Sequence, residues 1–308
     1  MNQKNSILIT GSTGFIGSNL INGLNSKEFL IKKAIRKNLA SAGAFVIEDI
    51  NSKTDWSDPL IRTDTVIHLA ALAHSKTNSS LHSFLETNCN GTVNLAKQAA
   101  DKGVKRFIFL SSIGVNGGNT KGVPFTESTG LEPNADYAKS KYRAEMELKK
   151  IANSTQMEVV IIRPPLVYGR NAPGNFEVLL NLIDRVKILP FGCINNRRDF
   201  ISIGNLCDFI SLCITHPKAA NETFVISDGE TISTKEFTNA IARGCGKKLY
   251  QFKVPVILFK FAGAILGKSK LIDQLVLDLE VDSNKARDLL GWVPKEKLTD
   301  AMSHLKDN

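Results

Sequence analysis

The chain has 308 residues, 43% hydrophobic and 22% charged, with 39 Lys and Arg against 30 Asp and Glu and a formal net charge of +9. This composition is typical of a globular protein, and no apolar run reaches the ~20 residues that a membrane-spanning helix needs. Five scattered cysteines without Cys-x-x-Cys spacing argue against disulfides and zinc, so we expect a cytoplasmic protein that holds no metal. The positive charge favours small anionic substrates over nucleic acid, because no basic run or aromatic-interleaved patch is present.

A turn with three glycines follows the first predicted strand, residues 6–10. The glycines stand three residues apart, and a helix is predicted over residues 15–24. The first glycine lets the chain turn, the second lets the backbone approach a phosphate, and the third lets the helix pack on the strand. This arrangement is typical of dinucleotide binding, with the pyrophosphate at the helix N-terminus. The predicted cofactor contacts in the turn are Gly11, Thr13, Gly14, Phe15, Ile16 and Gly17.

Short apolar runs then alternate with amphipathic stretches. Predicted strands cover residues 29–35, 44–48, 65–69, 106–111 and 158–163, and predicted helices cover 82–101 and 137–152. The alternation predicts an α/β fold with a doubly wound parallel sheet of the Rossmann type. A strand within 222–227 would return to this sheet, so the dinucleotide-binding domain would comprise residues 1–165 and a returning strand near 200–228. A smaller, discontinuous C-terminal substrate lobe would contain residues 166–199 and 229–308.

The most apolar segment of the chain runs from Val254 to Leu266. Lys260 interrupts it, and it is too short to span a bilayer. Because it lacks a cationic face, we expect a core helix of the C-terminal lobe rather than a segment that contacts a membrane.

Tyr137 and Lys141 are four residues apart in the predicted helix 137–152 and therefore lie on one helical face. A free tyrosine titrates near ~10, and an adjacent ammonium group would lower its pKa and make proton transfer feasible near neutral pH. Ser112 follows the predicted strand 106–111, at the carboxyl end where parallel sheets bind their ligands. A surface helix that carries Tyr137 and Lys141 by chance is the alternative, and the position of Ser112 makes these three residues candidates for one catalytic set.

Together with the glycine turn, this set resembles the extended short-chain dehydrogenase/reductases, and more narrowly the nucleotide-sugar epimerase/dehydratase family. The likeness covers nearly the whole chain and implies an NAD(P)-dependent enzyme that acts on a UDP-sugar. Further segments that match the family, in order, are Val66-Ile-His-Leu-Ala-Ala71, Asn88 in Thr-Asn-Cys-Asn-Gly-Thr, Arg163-Pro-Pro-Leu-Val-Tyr-Gly169, Arg198-Asp-Phe-Ile-Ser-Ile203 and Val281-Asp-Ser-Asn-Lys-Ala-Arg-Asp-Leu-Leu-Gly-Trp292.

By this resemblance, Ser112 hydrogen-bonds the oxygen on the reacting sugar carbon, Tyr137 passes the proton, and Lys141 tunes Tyr137 and holds the cofactor. Arg198 is expected to bind the substrate diphosphate with its bidentate guanidinium, and Asn175 to contact the nucleotide. The resemblance also implies a homodimer through the predicted helices 82–101 and 137–152. The further expected cofactor contacts are Arg36, Asp49, Ile50, Leu69, Ala70, Ala71, Asn88, Ser111, Tyr137 and Lys141.

Departures from the family pattern bear on the cofactor. Arg36 and Lys37 end the second predicted strand and favour NADP(H), because an Arg there accommodates the 2′-phosphate, with NAD(H) as the alternative. Leu166 and Ala73 stand where the familiar epimerases have an Asn and a Lys that grips the cofactor. A loosened cofactor suits a reductase, which exchanges it at every turnover.

The motifs resemble a bacterial branch from surface-polysaccharide pathways, whose members include proteins named UDP-glucose 4-epimerase as well as 4-ketoreductases that form UDP-N-acetylquinovosamine. Because the departures at the cofactor site suit a reductase, the sequence predicts a 4-ketoreductase of UDP-4-keto-6-deoxy-N-acetylhexosamine in surface polysaccharide biosynthesis. A UDP-glucose or UDP-N-acetylglucosamine 4-epimerase that uses the same residues is the alternative. A 4,6-dehydratase is excluded, because Ile113 and Gly114 stand where that class carries an acidic pair. A cofactor-binding sensor without turnover is disfavoured, because Ser112, Tyr137 and Lys141 are all present.

Overall fold

The computed structural model describes residues 4–25, 27–36, 44–73 and 80–306, so that Lys37, one of the two cations expected to favour NADP(H), lies outside it. The strands are β1 (Asn5–Thr10), β2 (Phe29–Ile35), β3 (Ala44–Val46), β4 (Thr65–His68), β5 (Arg106–Leu110), β6 (Glu158–Arg163), β7 (Leu166–Tyr168), β8 (Ile188–Leu189), β9 (Phe200–Ser202), β10 (Thr223–Val225) and β11 (Tyr250–Gln251). The α-helices are α1 (Phe15–Gly23), α2 (Ser57–Leu60), α3 (Leu81–Leu85), α4 (Gly91–Asp101), α5 (Asp136–Ser154), α6 (Asn175–Arg185), α7 (Ile203–Thr215), α8 (Thr234–Gly244), α9 (Val256–Ile265), α10 (Ser269–Val276), α11 (Asn284–Leu290) and α12 (Leu298–Ser303).

Within these ranges, seven parallel strands form the central sheet in the order β10, β6, β5, β4, β1, β2, β3. The winding direction reverses between β1 and β4, and in such sheets the ligand crevice lies outside the carboxyl ends of the strands at that reversal. Ile7, Leu8 and Ile9 of β1 are fully buried, as expected for a strand covered on both faces. The predicted α/β doubly wound fold is confirmed.

Helices cover both faces of the sheet because successive side chains of each strand point to opposite sides. On one face, Ile7 belongs to the same buried cluster as Phe209 of α7, together with side chains of α1 and α11. On the other face, Leu8 belongs to a second cluster with Leu148 of α5 and side chains of α4. The carboxyl edge of the sheet is thereby left as the place where loops and helix termini converge.

The predicted helix over 82–101 is interrupted in the structure. α3 and α4 are joined by a π-helical turn, Glu86–Asn90, which inserts an extra residue into the helical ladder. Turns of this kind are rare and are frequently found at functional sites. Here the turn contains Asn88, which has no exposed surface.

A third buried cluster lies in the C-terminal part of the chain and includes side chains of α6, α8 and α12. Its centre is aromatic, with Phe200 and Phe237 stacked at a centroid distance of 3.9 Å. β10 lies beside β6 in the central sheet, as the prediction for residues 222–227 required. The division into a domain of residues 1–165 and a lobe of residues 166–199 and 229–308 stays a prediction.

The expectation of a core helix over Val254 to Leu266 was wrong. The segment forms α9, but Ile257, Phe261 and Ile265 are each between 65 and 69% exposed. The sequence could not reveal this, because an apolar segment has the same composition whether its neighbours cover it or not. Among the helices described, none is both long and apolar enough to cross a bilayer.

Candidate active site

The glycine turn forms a tight cradle between β1 and α1. Gly11 has a φ of +69°, and a Cβ on it would lie 2.7 Å from the backbone nitrogen of Ala70. A Cβ on Gly17 would lie 2.2 Å from the carbonyl oxygen of Gly11. Gly14 is the N-cap of α1 and supplies no side-chain acceptor, so the first-turn N–H groups can take an anion. The turn therefore fits a dinucleotide pyrophosphate.

The other residues predicted in the turn lie at its mouth. Thr13 is exposed, whereas Phe15 and Ile16 are half-buried. A cleft of about 500 Å³ opens here, and its far side is formed by Arg170 and Asn171. Sequence reasoning missed these two residues, although Arg170 directly follows the matched segment that ends at Gly169.

The end of β4 lies against the turn. Ala70 is half-buried, and its N–H donates to Thr10 Oγ1 at 3.4 Å. The N–H of Leu69 donates to the backbone carbonyl of Thr10 at 3.3 Å. The buried Asn88 does not face an open site. Its amide exchanges two hydrogen bonds with the backbone of Leu72, at 2.7 and 3.0 Å, and donates a further one to Ser140 Oγ at 3.0 Å. Asn88 thus holds the segment that contains Ala71 and joins it to α5.

Three further predicted cofactor residues differ in exposure. Arg36 directly follows β2 and is exposed, and in the described part of the chain it forms no ion pair. Asp49 is also exposed, with its carbonyl accepting from Thr54 Oγ1 at 2.7 Å. Ile50 is half-buried and packs closely against Gly91 at the start of α4. Arg36 is therefore free to reach a ligand at this edge of the sheet.

Ser112 follows β5 and caps a 3-10 turn, Ile113–Val115. Its Oγ accepts the N–H of Gly114 at 3.1 Å, so its own proton remains available for donation. A Cβ on Gly114 would lie 3.4 Å from both Ser112 Oγ and the Cβ of Ala138. The serine hydroxyl therefore lies across a glycine-sized gap from the residue that follows Tyr137.

α5 brings Tyr137 and Lys141 to the same end of the sheet. Lys141 is 1% exposed, and its Nζ donates to the carbonyl of Leu110 at 2.8 Å, which joins α5 to the end of β5. The same Nζ is 6.0 Å from the centroid of the Tyr137 ring. The structure thus gathers Ser112, Tyr137 and Lys141 around the carboxyl end of β5.

The pKa of Tyr137 departs from the sequence-based expectation. Burial raises the pKa of Tyr137 to about 12, whereas an ammonium neighbour was expected to lower it. Burial also lowers the pKa of Lys141 to about 7, with Glu145 acting in the opposite direction. Desolvation disfavours both charged forms, and the ammonium group interacts with the Leu110 carbonyl rather than with the phenol.

A buried ion pair stands behind these residues. Glu145 of α5 and Arg163 of β6 are each 1% exposed and approach to 2.5 Å. Ser111 donates its hydroxyl to Glu145 Oε1 at 2.5 Å, so this side chain is directed into the network and not toward a cofactor. Sequence reasoning matched Arg163 within a family segment but missed its partner.

The two adjacent arginines at 197 and 198 have different surroundings. Arg197 Nε donates to Glu280 at 2.8 Å in an ion pair. Arg198 donates to the carbonyl of Leu277 at 2.8 Å and has no carboxylate partner among the ion pairs of the described residues. Burial lowers the pKa of Arg198 to about 10, so the guanidinium stays charged at neutral pH. Asn175 begins α6 and donates to Gln274 Oε1 at 3.2 Å.

Comparisons with known proteins agree with this geometry. A sequence model of the NAD dependent epimerase/dehydratase family matches residues 7–227. A protein of Vibrio cholerae named UDP-glucose 4-epimerase is 45% identical over 301 residues, which covers 95% of this chain and 92% of the relative. The N-acetyl-alpha-D-glucosaminyl-diphospho-ditrans,octacis-undecaprenol 4-epimerase of Escherichia coli O157:H7 is 27% identical over 264 residues, with coverage of 85% and 78%. The crystal structure of the Bordetella bronchiseptica enzyme WbmG in complex with NAD and UDP has the same fold, with a TM-score of 0.75, 23% identity and coverage of 98% and 94%.

Proposed function

Because the chain belongs to the NAD dependent epimerase/dehydratase family and is an NAD-dependent enzyme, we propose that it oxidises and reduces C4 of a UDP-sugar. The observation that carries the proposal is the convergence of Ser112, Tyr137 and Lys141 at the carboxyl end of β5. In the central sheet, β5 is separated from the glycine turn of β1 only by β4. A cofactor held at the turn would therefore extend toward these three side chains.

The proposed mechanism assigns a task to each side chain. The bound nicotinamide would supply hydride exchange with C4. Ser112 keeps its hydroxyl proton for the C4 oxygen, since its Oγ only accepts from Gly114. Burial raises the pKa of Tyr137 to about 12, so this residue keeps its proton at neutral pH and can protonate a C4 alkoxide. Removal of a proton from a C4 hydroxyl would require the Lys141 ammonium to stabilise the phenolate.

Substrate binding is assigned to the C-terminal part of the chain. Arg198 carries a charged guanidinium that forms no ion pair among the described residues, although the charge of Asp278 acts on it, and this suits a substrate diphosphate. Its neighbour Arg197 is committed to Glu280 and is left out of the proposal. We expect Asn175, whose only described side-chain bond is to the exposed Gln274, to contact the nucleotide.

The net reaction that we propose first is 4-epimerisation with NAD(H). The relative named UDP-glucose 4-epimerase is 45% identical over nearly the whole of both chains, which supports this outcome over the ketoreductase expected from the motifs. An epimerase would use Tyr137 and Ser112 twice. Tyr137 would first take the proton from the C4 hydroxyl and, after the 4-keto sugar has rotated to present its opposite face, would return a proton to the C4 oxygen.

Reduction of a UDP-4-keto-6-deoxy-N-acetylhexosamine with NADP(H) is the second candidate, and Arg36 is the observation in its favour. This side chain is exposed directly after β2 and has no ion-pair partner among the described residues. A side chain at this position can bind the 2′-phosphate of NADP(H). Elimination of water stays excluded from both proposals, because Ile113 is buried and Gly114 has no side chain.

One assay separates the two candidates. The purified enzyme is given UDP-glucose, and then UDP-N-acetylglucosamine, without added reductant, and the sugars are separated by chromatography. Appearance of the galacto epimers would establish the epimerase. In a second vessel, loss of NADPH or NADH absorbance with a UDP-4-keto-6-deoxy-N-acetylhexosamine would establish the reductase, and the ratio of the two rates reports on Arg36. If the folded enzyme is inactive in both assays, the proposal that it acts at C4 of a UDP-sugar is contradicted.

A further inference from the structure

The outer face of α9 is apolar. Ile257, Phe261 and Ile265 recur every four residues on one side of the helix, and Leu258 lies beside them. Leu266 follows the helix, and each of the five side chains is between 54 and 69% exposed. We call these five residues the apolar stripe. Single exposed apolar side chains are ordinary, whereas a contiguous apolar patch indicates an interaction surface.

The orientation of α9 is set by the packing of its opposite side. Phe259 lies with its ring centroid 6.0 Å from that of Phe191, within the third buried cluster. Gly263 faces α10, and a Cβ there would lie 2.6 Å from Ile272 Cγ1. A rotation of the helix that buried the apolar stripe would bring a larger side chain into this close contact. The exposure of the stripe therefore follows from the fold.

Lysines accompany the apolar stripe in and beside the hairpin that α9 and α10 form. Only Lys260 lies within Val254 to Leu266, so the expectation that the segment has no cations beside its apolar face fails once the residues that flank it are included. Lys253, Lys260, Lys268 and Lys270 are all exposed, and Asp273 is the one acidic residue between positions 253 and 276. None of the four lysines forms an ion pair within the described part of the chain. An apolar helical face accompanied by cations is the arrangement by which helices lie in the headgroup region of anionic bilayers.

We propose that the hairpin of α9 and α10 docks the protein on a membrane surface that contains anionic lipids. The apolar stripe would enter the boundary between headgroups and acyl chains, and the lysines would contact lipid phosphates. A second copy of the chain is disfavoured as the occupant, because a two-fold contact through this face would bring like charges together. A helical peptide usually binds in an apolar groove, whereas the five side chains of the stripe are each more than half exposed.

The hairpin also leads into the candidate active site. Gln274 of α10 accepts from Asn175, and the carbonyl of Leu277, directly after α10, accepts from Arg198. Docking would therefore hold the proposed diphosphate site close to the membrane. This consequence depends on the proposed role of Arg198, whereas docking itself does not.

Flotation with phosphatidylcholine vesicles, with and without phosphatidylglycerol, tests the proposal on the full-length protein. We expect the protein to float with the anionic vesicles and to be released by high salt. Phe261→Ser should weaken binding by about tenfold, since one large apolar side chain no longer leaves water. Val293→Ser is the matched control, because Val293 is 58% exposed but lies outside the hairpin. It should float like the wild type.

Reversing the charge of single lysines is a second, independent test of vesicle binding. Lys260→Glu and Lys268→Glu should each weaken binding by roughly fivefold or more, the equivalent of one lysine near an anionic surface. Thermal unfolding followed by circular dichroism verifies that each variant is folded. The proposal is overturned if the wild type stays below the anionic vesicles, or if Phe261→Ser floats as well as the wild type. It is also overturned if Phe261→Ser converts a dimer into a monomer in lipid-free sedimentation, because a second copy then covers the stripe.

Discussion

At the scale of single residues, burial governs the proton chemistry of the candidate site. Lys141 lies on the face of α5 that the spacing predicted, yet its Nζ donates to the Leu110 carbonyl and burial lowers its pKa to about 7. Burial likewise raises the pKa of Tyr137 to about 12. The lysine therefore positions α5 against β5, and we propose that its ammonium group also assists Tyr137 in proton transfer.

The role of Tyr137 is tested by Tyr137→Phe. We expect the turnover number to fall by about a hundredfold or more, because the variant keeps the ring but cannot transfer a proton. Cofactor affinity, measured by calorimetry, should change little. Tyr142→Phe on the same helix is the control and should retain activity. Retention of most activity by Tyr137→Phe would rule out the proposed mechanism.

At the scale of elements, α5 is the platform of the site. Asn88 in the π-helical turn binds Ser140 at its start, and Lys141 binds the end of β5. The buried pair of Glu145 with Arg163 joins its middle to β6. These contacts link α5 to three neighbouring elements and fix the orientation of the helix that carries Tyr137, the proposed proton-transfer residue.

Glu145→Gln should destabilise the protein by about 3–5 kcal/mol, since it leaves the buried Arg163 guanidinium without its counter-charge. Urea unfolding followed by fluorescence would measure this loss. Glu147→Gln is the control on the same helix, because Glu147 pairs with Lys150 where the side chains are 42 and 69% exposed. Its cost should be below about 1 kcal/mol. Equal costs for the two variants would contradict the importance of the buried pair.

At the scale of the whole molecule, a buried histidine joins three parts of the fold. His68 of β4 is fully buried, with Nδ1 2.7 Å from Thr10 Oγ1 of β1 and Nε2 2.9 Å from Thr92 Oγ1 of α4. Burial, and then the nearby charge of Lys141, lower the pKa of His68 to about 3. The native protein therefore keeps this ring neutral across the range in which a free histidine takes up a proton.

His68 should consequently make the protein less stable in acid. Below about pH 6.5 the unfolded chain binds a proton at His68 that the native chain does not bind, so His68 by itself should lower the free energy of unfolding by about 1.4 kcal/mol per pH unit toward the folded pKa. Asp228 acts in the opposite direction, because burial raises its pKa to about 6 and the native chain takes up that proton first. The difference in slope between the wild type and His68→Gln, in urea unfolding between pH 7.5 and about 5, therefore measures the contribution of His68. In His68→Gln the slope should flatten, whereas in His82→Gln, at an exposed position, it should not. An unchanged slope in His68→Gln would contradict the assignment.

Much of the architecture could be predicted from local sequence. The glycine turn, the sheet and the placement of Ser112, Tyr137 and Lys141 around one strand end follow from spacing and hydrophobic periodicity. The π-helical turn could not be predicted, because an uninterrupted helix has the same apolar pattern. The assignment of cofactor and substrate contacts and the pairing of two subunits through helices 82–101 and 137–152 stay predictions.

By itself the sequence determined the strands of the central sheet, the helices α1 and α5, and the chemical groups at the carboxyl edge of the sheet, since these depend on residues close together in the chain. Only the tertiary structure decided that, among the residues described, Arg197 and not Arg198 forms an ion pair, and that Lys141 is held by a backbone carbonyl. It also decided that α9 turns its apolar stripe outward. The physical reason is the same in each case: burial and charge pairing depend on partners that are distant in sequence and meet only when the chain folds.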